Sequence, residues 1–329
     1  MWAGSLTAGA GMRSRASHGL LASGAKLAVA ATALVAVLAI GSPVALVSPL
    51  NAAPRRFAFG VITERVGEAD LAFGLYTNLL AALRSRVAAS GVEVVPLVIA
   101  RDTADLARRI ERGEVDGFAE GVFPTLAIRA LSRSVDPGLL ALRRGEREYE
   151  SIVFVARNGP VHSLDDLRGR TIVFQAPRST SAYALPKAEL LRLGYDVFPV
   201  NDPTGPATAI RYVFAKAEIN QAIWVLHGKG DAGAFNGGDW ARLPAGVRDQ
   251  LVVIHKTPSI LRWVVSFRTG LDPATRQAVE AALVALGDRP GDRSALEAAR
   301  IERFERLTAA DRRSIDRWVP LLARLGIEQ

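Results

Sequence analysis

Three consecutive hydroxyl residues, Ser179-Thr180-Ser181, are the side chains in this sequence whose types and spacing best suit binding chemistry. They follow an apolar run, 171–175, that is predicted to be a buried strand, and they open a segment, 181–193, predicted to be helical. Hydroxyls at a helix start bring O–H and N–H donors together at the positive end of the helix dipole, which suits an oxyanion. One hydroxyl is enough for a helix cap, so three in a row favour a ligand site.

Other kinds of site chemistry have little support. The chain has no cysteine, which excludes disulfides, thiol catalysis, Cys-ligated zinc and lipidation of a cysteine. His162, His227 and His255 are scattered without the spacing of a zinc site or a catalytic relay. We therefore predict no cofactor and no metal.

The amino-terminal residues 1–53 are predicted to be a signal peptide. They contain no acidic residue, carry Arg13, Arg15 and Lys26, and include the apolar run 27–40 followed by small residues at 51–53. Cleavage near Ala53 would release a periplasmic protein. The alternative is an uncleaved membrane anchor, since residues 27–53 are long enough to span a bilayer if Pro43 is tolerated.

The charge balance argues against a nucleic-acid partner. The formal charge of +8 falls to +5 without the three basic residues of the leader. The remaining arginines are spread over predicted helices beside acidic neighbours, which is typical of solvated helix faces rather than of a basic and aromatic binding surface.

Strands alternate with helices along the rest of the chain, which predicts an α/β fold with mostly parallel sheets flanked by helices. Its length suits two lobes. Two passages between α/β units, near 150–157 and 255–264, predict an outer lobe of 54–152 and 260–329 with a middle lobe of 153–259 inserted into it. A long helical region is predicted before Leu226, and helices from Asp272 to the end. Ligands bind between such lobes, at the carboxyl ends of strands.

With these residues in view, the sequence resembles the periplasmic phosphate/phosphite/phosphonate-binding proteins of ABC transporters. The matching segments are 149–157, 163–169 and 179–181 with Pro186, supported by Tyr76, 113–116 and 228–234. The resemblance implies a type II periplasmic binding fold that closes on its ligand. It also implies that Ser179, Thr180 and Ser181 hold the oxyanion, that Tyr76 contributes from the opposite lobe, and that Asp231 lies near the ligand or the lobe interface.

Three positions depart from the family pattern. Ala182 replaces a glycine after the hydroxyl triplet, and Thr125 stands where a tyrosine is expected. Glu218 replaces a histidine expected thirteen residues before Asp231, if no gap intervenes. An anion at that point would repel a dianionic ligand, so a monoanion, an ester or an amine-bearing phosphonate is favoured.

The sequence therefore predicts a periplasmic, monomeric binding protein that delivers a small phosphorus oxyanion to an ABC permease without catalysis. Two alternatives are compatible with the same residues. One is an extracytoplasmic sensor that reports the ligand to a signalling partner. The other is a biosynthetic enzyme on the same fold, with Glu218, Glu120 or Asp231 as the acid or base.

Overall fold

The computed structural model describes residues 55–63, 68–143 and 145–326. The predicted leader, 1–53, lies outside these ranges. The strands are β1 (Arg55–Phe57), β2 (Phe59–Ile62), β3 (Val92–Val94), β4 (Val98–Ala100), β5 (Gly117–Glu120), β6 (Val135–Leu142), β7 (Glu148–Tyr149), β8 (Ser151–Ala156), β9 (Thr171–Phe174), β10 (Val197–Pro199), β11 (Ile210–Phe214), β12 (Ala232–Asn236), β13 (Leu251–Lys256), β14 (Ile260–Leu261), β15 (Val264–Arg268) and β16 (Arg303–Arg306). The helices are α1 (Glu68–Val87), α2 (Thr103–Glu111), α3 (Val122–Leu131), α4 (Leu185–Arg192), α5 (Glu218–Leu226), α6 (Gly237–Ala241), α7 (Ala245–Arg248), α8 (Pro273–Val284), α9 (Pro290–Ala298), α10 (Ala309–Asp316) and α11 (Leu322–Leu325).

Two six-stranded sheets organise the described residues. The outer sheet has the order β16-β6-β15-β5-β2-β4, and the middle sheet has the order β10-β11-β9-β12-β8-β13. The outer sheet draws its strands from both ends of the chain, whereas the middle sheet is built from one continuous stretch. The α/β architecture is confirmed.

Both sheets are mixed rather than mostly parallel. In the middle sheet β10, β11, β9 and β12 run parallel, whereas β8 pairs antiparallel with β12 and with β13. In the outer sheet β15 pairs antiparallel with β5 and with β6. These antiparallel strands lie next to the passages between the sheets, so the chain enters and leaves each sheet without a crossover helix.

Three strands differ from the sequence predictions. β11 forms where a long helix is predicted, and its buried Ile210 and Tyr212 alternate with less buried residues. β16 forms in the carboxyl-terminal segment that is predicted to be helical. It is an edge strand of the outer sheet, and its buried residue is Phe304. β6 forms over a segment for which no element is predicted; it contains Pro137 at a register shift opposite β15, and a proline at a bulge is compatible with a strand.

The apolar core runs through both sheets. One cluster joins α3 of the outer part to β9 and α4 of the middle part, and it includes Phe123, Phe174 and Trp318. A second cluster packs α1 and α8 against the outer sheet around Phe57 and Phe267. None of the helices in the described ranges has the length and apolar character needed to cross a bilayer.

Candidate ligand-binding site

A cavity of about 250 Å³ lies where the carboxyl ends of strands from the two sheets meet. It is lined by polar and charged residues that follow β5, β9, β11 and β12, and by residues of the passages between the sheets. The lining residues are Glu120, Gly121, Pro124, Arg143, Tyr149, Gln175, Arg178, Ser179, Thr180, Ser181, Glu218, Asn236, Asp239, Arg262 and Trp263. We call this cavity the cleft. All three predicted hydroxyl residues line it.

The hydroxyl triplet opens a helical turn of π type, 180–184, that continues into α4. Ser179 is the N-cap, and its Oγ accepts the Ala182 N–H at 3.1 Å. The wide first turn brings the Ala184 N–H to the Ser179 carbonyl at 2.9 Å. Pro186 sits at the start of α4, where its missing N–H costs nothing. The Ser179 oxygen therefore caps the helix, and its O–H hydrogen can be donated elsewhere.

Ser181 is fixed by partners on two neighbouring strands. Its Oγ accepts the Asn236 side-chain amide at 3.3 Å, and its carbonyl accepts the Ser151 hydroxyl at 2.6 Å. Asn236 ends β12 and caps α6, because its Oδ1 accepts the Asp239 N–H at 2.9 Å. The Ser181 hydroxyl therefore accepts one hydrogen bond and can donate its own hydrogen into the cleft.

Thr180 lies next to Gly121, which follows β5 of the outer sheet. It is 8 % exposed, and a Cβ added at Gly121 would stand only 2.6 Å from its Oγ1. Gly121 is the N-cap of α3 with an extended backbone, φ −62° and ψ 164°, so it is needed for space and not for backbone freedom. Burial raises the pKa of the Tyr149 phenol to about 12, while Arg262 and a hydrogen bond with Thr180 lower it. This phenol therefore stays protonated at neutral pH.

Three guanidinium groups line the cleft, and each is held in place. Arg178 Nη2 donates to Glu120 Oε1 at 2.8 Å, and this pair connects the loop after β9 to the end of β5. Arg262 is 8 % exposed, stacks over the Tyr149 ring at 4.8 Å and pairs with Glu146. Arg143 stacks over Trp263 at 3.9 Å.

Three carboxylates accompany these arginines: Glu120, Glu218 and Asp239. Asp239 accepts from the Asn236 amide and pairs with Arg242 outside the cavity lining. The formal charges of the lining side chains therefore cancel. An anion entering this cleft meets directed N–H and O–H donors rather than a strong net positive potential.

Asp231 is not brought to the cleft. It precedes β12 and lies at the amino end of that strand, where its carboxylate accepts the Thr171 N–H at 2.9 Å and an Arg170 N–H at 3.2 Å. The chain takes five residue steps along the strand, about 16 Å, from Asp231 to Asn236 at the carboxyl end. The structure gives Asp231 a role in joining β9 to β12, away from the hydroxyl triplet.

The other predicted residues occupy different positions around the cleft. Glu218 is exposed, begins α5 and lines the cavity. Tyr76 packs against Phe59 in the outer core with ring centroids 5.7 Å apart and does not line the cleft. Burial raises the pKa of Tyr76, Arg143 lowers it and Glu120 raises it, so its phenol lies within electrostatic reach of two cleft residues. Thr125 is fully buried in α3, and its Oγ1 has no hydrogen-bond partner among the described residues.

Sequence reasoning missed several residues of the cleft. Arg143 and Arg262 come from the passages between the sheets, and Asn236 is the last residue of β12. The polar residue that ends the buried run 232–236 was the available signal for Asn236. No local pattern marks the two arginines. Within the described ranges, no group of three His, Cys, Asp or Glu residues could hold a metal ion.

Solved structures share this architecture. XAC2383 of Xanthomonas citri, solved bound to ATP, matches over 82% of this chain and 98% of its own, with 26% identity and a TM-score of 0.74. PhnD1 of Prochlorococcus marinus, in complex with methylphosphonate, matches over 84% and 100% with 15% identity and a TM-score of 0.59. A binding protein component of an ABC phosphonate transporter, PA3383 of Pseudomonas aeruginosa, matches over 83% and 88% with 18% identity and a TM-score of 0.57. These likenesses establish a two-lobed periplasmic-binding-protein fold.

The family model for the ABC transporter, phosphonate, periplasmic substrate-binding protein matches residues 68–312, which is well over half of the chain. No curated protein matches this chain. The family consists of transporter binding components rather than enzymes, and its members act with a small-molecule ligand and a membrane permease. This chain belongs to the phosphonate-binding family of periplasmic substrate-binding proteins of ABC transporters.

Proposed function

We propose that this protein captures a small phosphorus oxyanion, of the phosphonate, phosphite or phosphate type, and delivers it to an ABC importer. The observation that carries the proposal is the hydroxyl turn Ser179-Thr180-Ser181 at the carboxyl end of β9, opposite Gly121. The first N–H groups of a helix have no acceptor within it, so this turn combines hydroxyl and backbone donors. The cleft volume of 250 Å³ suits a ligand of few atoms.

Binding needs no chemistry beyond directed hydrogen bonds. The Ser179 and Ser181 oxygens already accept one bond each, so their hydrogens are left to donate to the oxygens of the ligand. Charge-assisted bonds of this kind are about twice as strong as neutral ones. Of the relatives, XAC2383 binds ATP, whose terminal phosphoryl group presents the same kind of oxygens.

Lobe closure is the proposed mechanism. The Arg178–Glu120 pair and the contact between Thr180 and Gly121 both connect the middle sheet to the outer one, next to the hydroxyl turn. A ligand held by the turn completes this contact zone, which stabilises the closed form that the permease recognises.

Several further assignments belong to the proposal. The lobes are taken as 54–152 with 260–329 and as 153–259, and the leader 1–53 as a cleaved signal peptide that exports the protein to the periplasm as a monomer. Glu218 sets the charge preference at the mouth of the cleft, and Tyr76 contributes from the outer lobe. Mass spectrometry of the exported protein tests the leader, because retention of residues before Ala53 would leave a membrane anchor.

Isothermal titration calorimetry on the exported protein tests the ligand class, with methylphosphonate, phosphite, phosphate and methanesulfonate as probes. We expect saturable binding of at least one phosphorus oxyanion, weakened by Ser179→Ala and by Thr180→Ala. Thr308→Ala is the matched control, because Thr308 also caps a helix, α10, and lies outside the cleft. Each cap deletion costs about 1 kcal/mol of stability. No binding of any phosphorus oxyanion, or equal weakening by Thr308→Ala, would refute the proposal.

A further inference from the structure

A second cavity adjoins the cleft and is larger, about 560 Å³. Pro124 and Arg178 line both cavities, so the two spaces are neighbours that share these residues as a common wall. The proposed phosphorus oxyanion does not use this space, since the hydroxyl triplet does not line it. We refer to it as the side cavity.

The walls of the side cavity are mainly apolar and aromatic. One wall belongs to α3 and carries Phe123 and Ala127. The opposite wall carries Tyr183, Tyr212 and Phe214, whose ring centroids are 5.0 to 5.6 Å apart and whose planes are inclined by 48 to 72°. Inclined rings at this spacing present edges and faces to one side, which suits contact with another aromatic ring.

The aromatic wall is held rigidly from behind. Lys187 is 4 % exposed, and its ammonium donates to the Tyr183 phenol oxygen at 3.1 Å and to the Leu325 carbonyl at 2.9 Å. The same ammonium stands 4.8 Å from the Tyr212 ring centroid. These contacts fix both tyrosine rings, so little ordering is needed when a ligand arrives.

The rim of the side cavity carries a carboxylate. Asp102 caps α2 by accepting the Asp105 N–H at 2.7 Å, and it lines the cavity with Thr103 and Ala104. A carboxylate at this point repels a second anionic group and accepts hydrogen bonds from N–H or O–H groups. Arg178 is the cation of this lining and is already paired with Glu120, so the chemistry of the cavity fits a planar, uncharged ring.

We infer that the physiological ligand is a phosphate or phosphonate that carries an aromatic ring, with its oxyanion on the hydroxyl turn and its ring in the side cavity. The inference rests on the proposed function, because the oxyanion anchors the ligand in the cleft. The cleft volume alone does not require a ring on the ligand.

The test compares ligands that differ in the organic group alone: methylphosphonate, phenylphosphonate and benzylphosphonate, titrated into the exported protein. Burial of a ring against aromatic neighbours is expected to tighten binding of at least one aryl ligand about tenfold over methylphosphonate. Ala104→Phe fills the side cavity from α2 and is expected to abolish this preference while methylphosphonate still binds.

Ala310→Phe is the matched control, since Ala310 is the second residue of capped helix α10, as Ala104 is of α2, and is exposed. The control should keep the tenfold preference. Wild-type protein that binds neither aryl ligand better than methylphosphonate would overturn the inference, as would a preference that survives Ala104→Phe. Absence of binding by all three ligands would instead overturn the proposed function.

Discussion

Gly121→Ala tests whether the contact between Gly121 and Thr180 belongs to the binding site. The backbone of Gly121 lies in the extended region, so alanine can adopt it without strain. The added Cβ would stand 2.6 Å from Thr180 Oγ1, whereas ordinary contact begins at about 3.4 Å. The threonine hydroxyl or the whole lobe must therefore move by about 0.8 Å, the difference between these distances.

A shift of this size is enough to break a hydrogen bond from Thr180 to a ligand oxygen. An O–H···O bond of about 2.7 Å would lengthen to about 3.5 Å, beyond useful range. A bond to a charged group contributes about 1.5–3 kcal/mol. The affinity for methylphosphonate should thus fall roughly 10- to 100-fold. Calorimetric titration measures this, with thermal unfolding as a check on the fold.

Two comparisons isolate the cause of the loss. Gly74→Ala adds the same methyl group in α1, where nothing lies within 4 Å, and should leave affinity unchanged. In a Thr180→Ala background, Gly121→Ala should cost little more, because the hydroxyl it displaces is already gone. The reasoning is refuted if Gly121→Ala binds normally, or if its effect is the same with and without the Thr180 hydroxyl.

Four further variants test individual residues. Glu218→Gln should tighten methylphosphonate binding about threefold at low salt and less at high salt, measured by titration at two ionic strengths, because it removes an anion from the cleft mouth. Asp231→Asn should lower the free energy of unfolding by about 1 kcal/mol in urea and leave the affinity unchanged. Thr125→Val should raise the free energy of unfolding by about 1 kcal/mol, because it removes a buried hydroxyl that has no hydrogen-bond partner in the described part of the chain; weakened binding would show a direct role of Thr125 in the site. Burial lowers the pKa of Lys187 from 10.5 to about 8. Between about pH 8 and about pH 10.5 the unfolded chain binds more protons than the folded chain, so the free energy of unfolding rises with pH. Unfolding from about pH 7 to about pH 9.5 should show a gain of about 2 kcal/mol in the wild type that is absent in Lys187→Met.

The fold and the hydroxyl turn were predictable because their signals are local. Alternation of strands with helices is visible in apolar runs separated by caps and glycines, and it predicts an α/β protein without knowledge of contacts. The triplet Ser179-Thr180-Ser181 lies directly after a buried strand, so its place at a carboxyl end follows from the chain itself. The resemblance to a known family rested on the same short segments.

The failures came from residues whose positions depend on distant partners. β16 reads as part of a helical segment, and it becomes a strand because it pairs with β6, about 165 residues earlier in the chain. The family pattern points to Asp231, but the strand that follows it runs parallel to β9, which carries Asp231 to the end of the sheet opposite the cleft. The strand after Asp231 is predicted correctly, but Asp231 lies at its amino end and the cleft lies at its carboxyl end.

The positions of Arg143 and Arg262 also depend on distant parts of the chain and could not be predicted from the sequence. Each is one of many arginines in the sequence, and each enters the cleft because the passages between the sheets lie side by side, where β7 pairs with β14. Their charges are matched by carboxylates in the lining, so net charge alone would not identify the cleft as an anion site. The proposal of an anion there rests instead on hydroxyls: Ser179 Oγ, held as a helix cap, and Ser181 Oγ, held by Asn236, belong to residues that line the same small cavity. Selectivity in such a cleft depends on geometry, so substitutions that move a donor by less than 1 Å should affect binding more than substitutions that change a charge at the mouth.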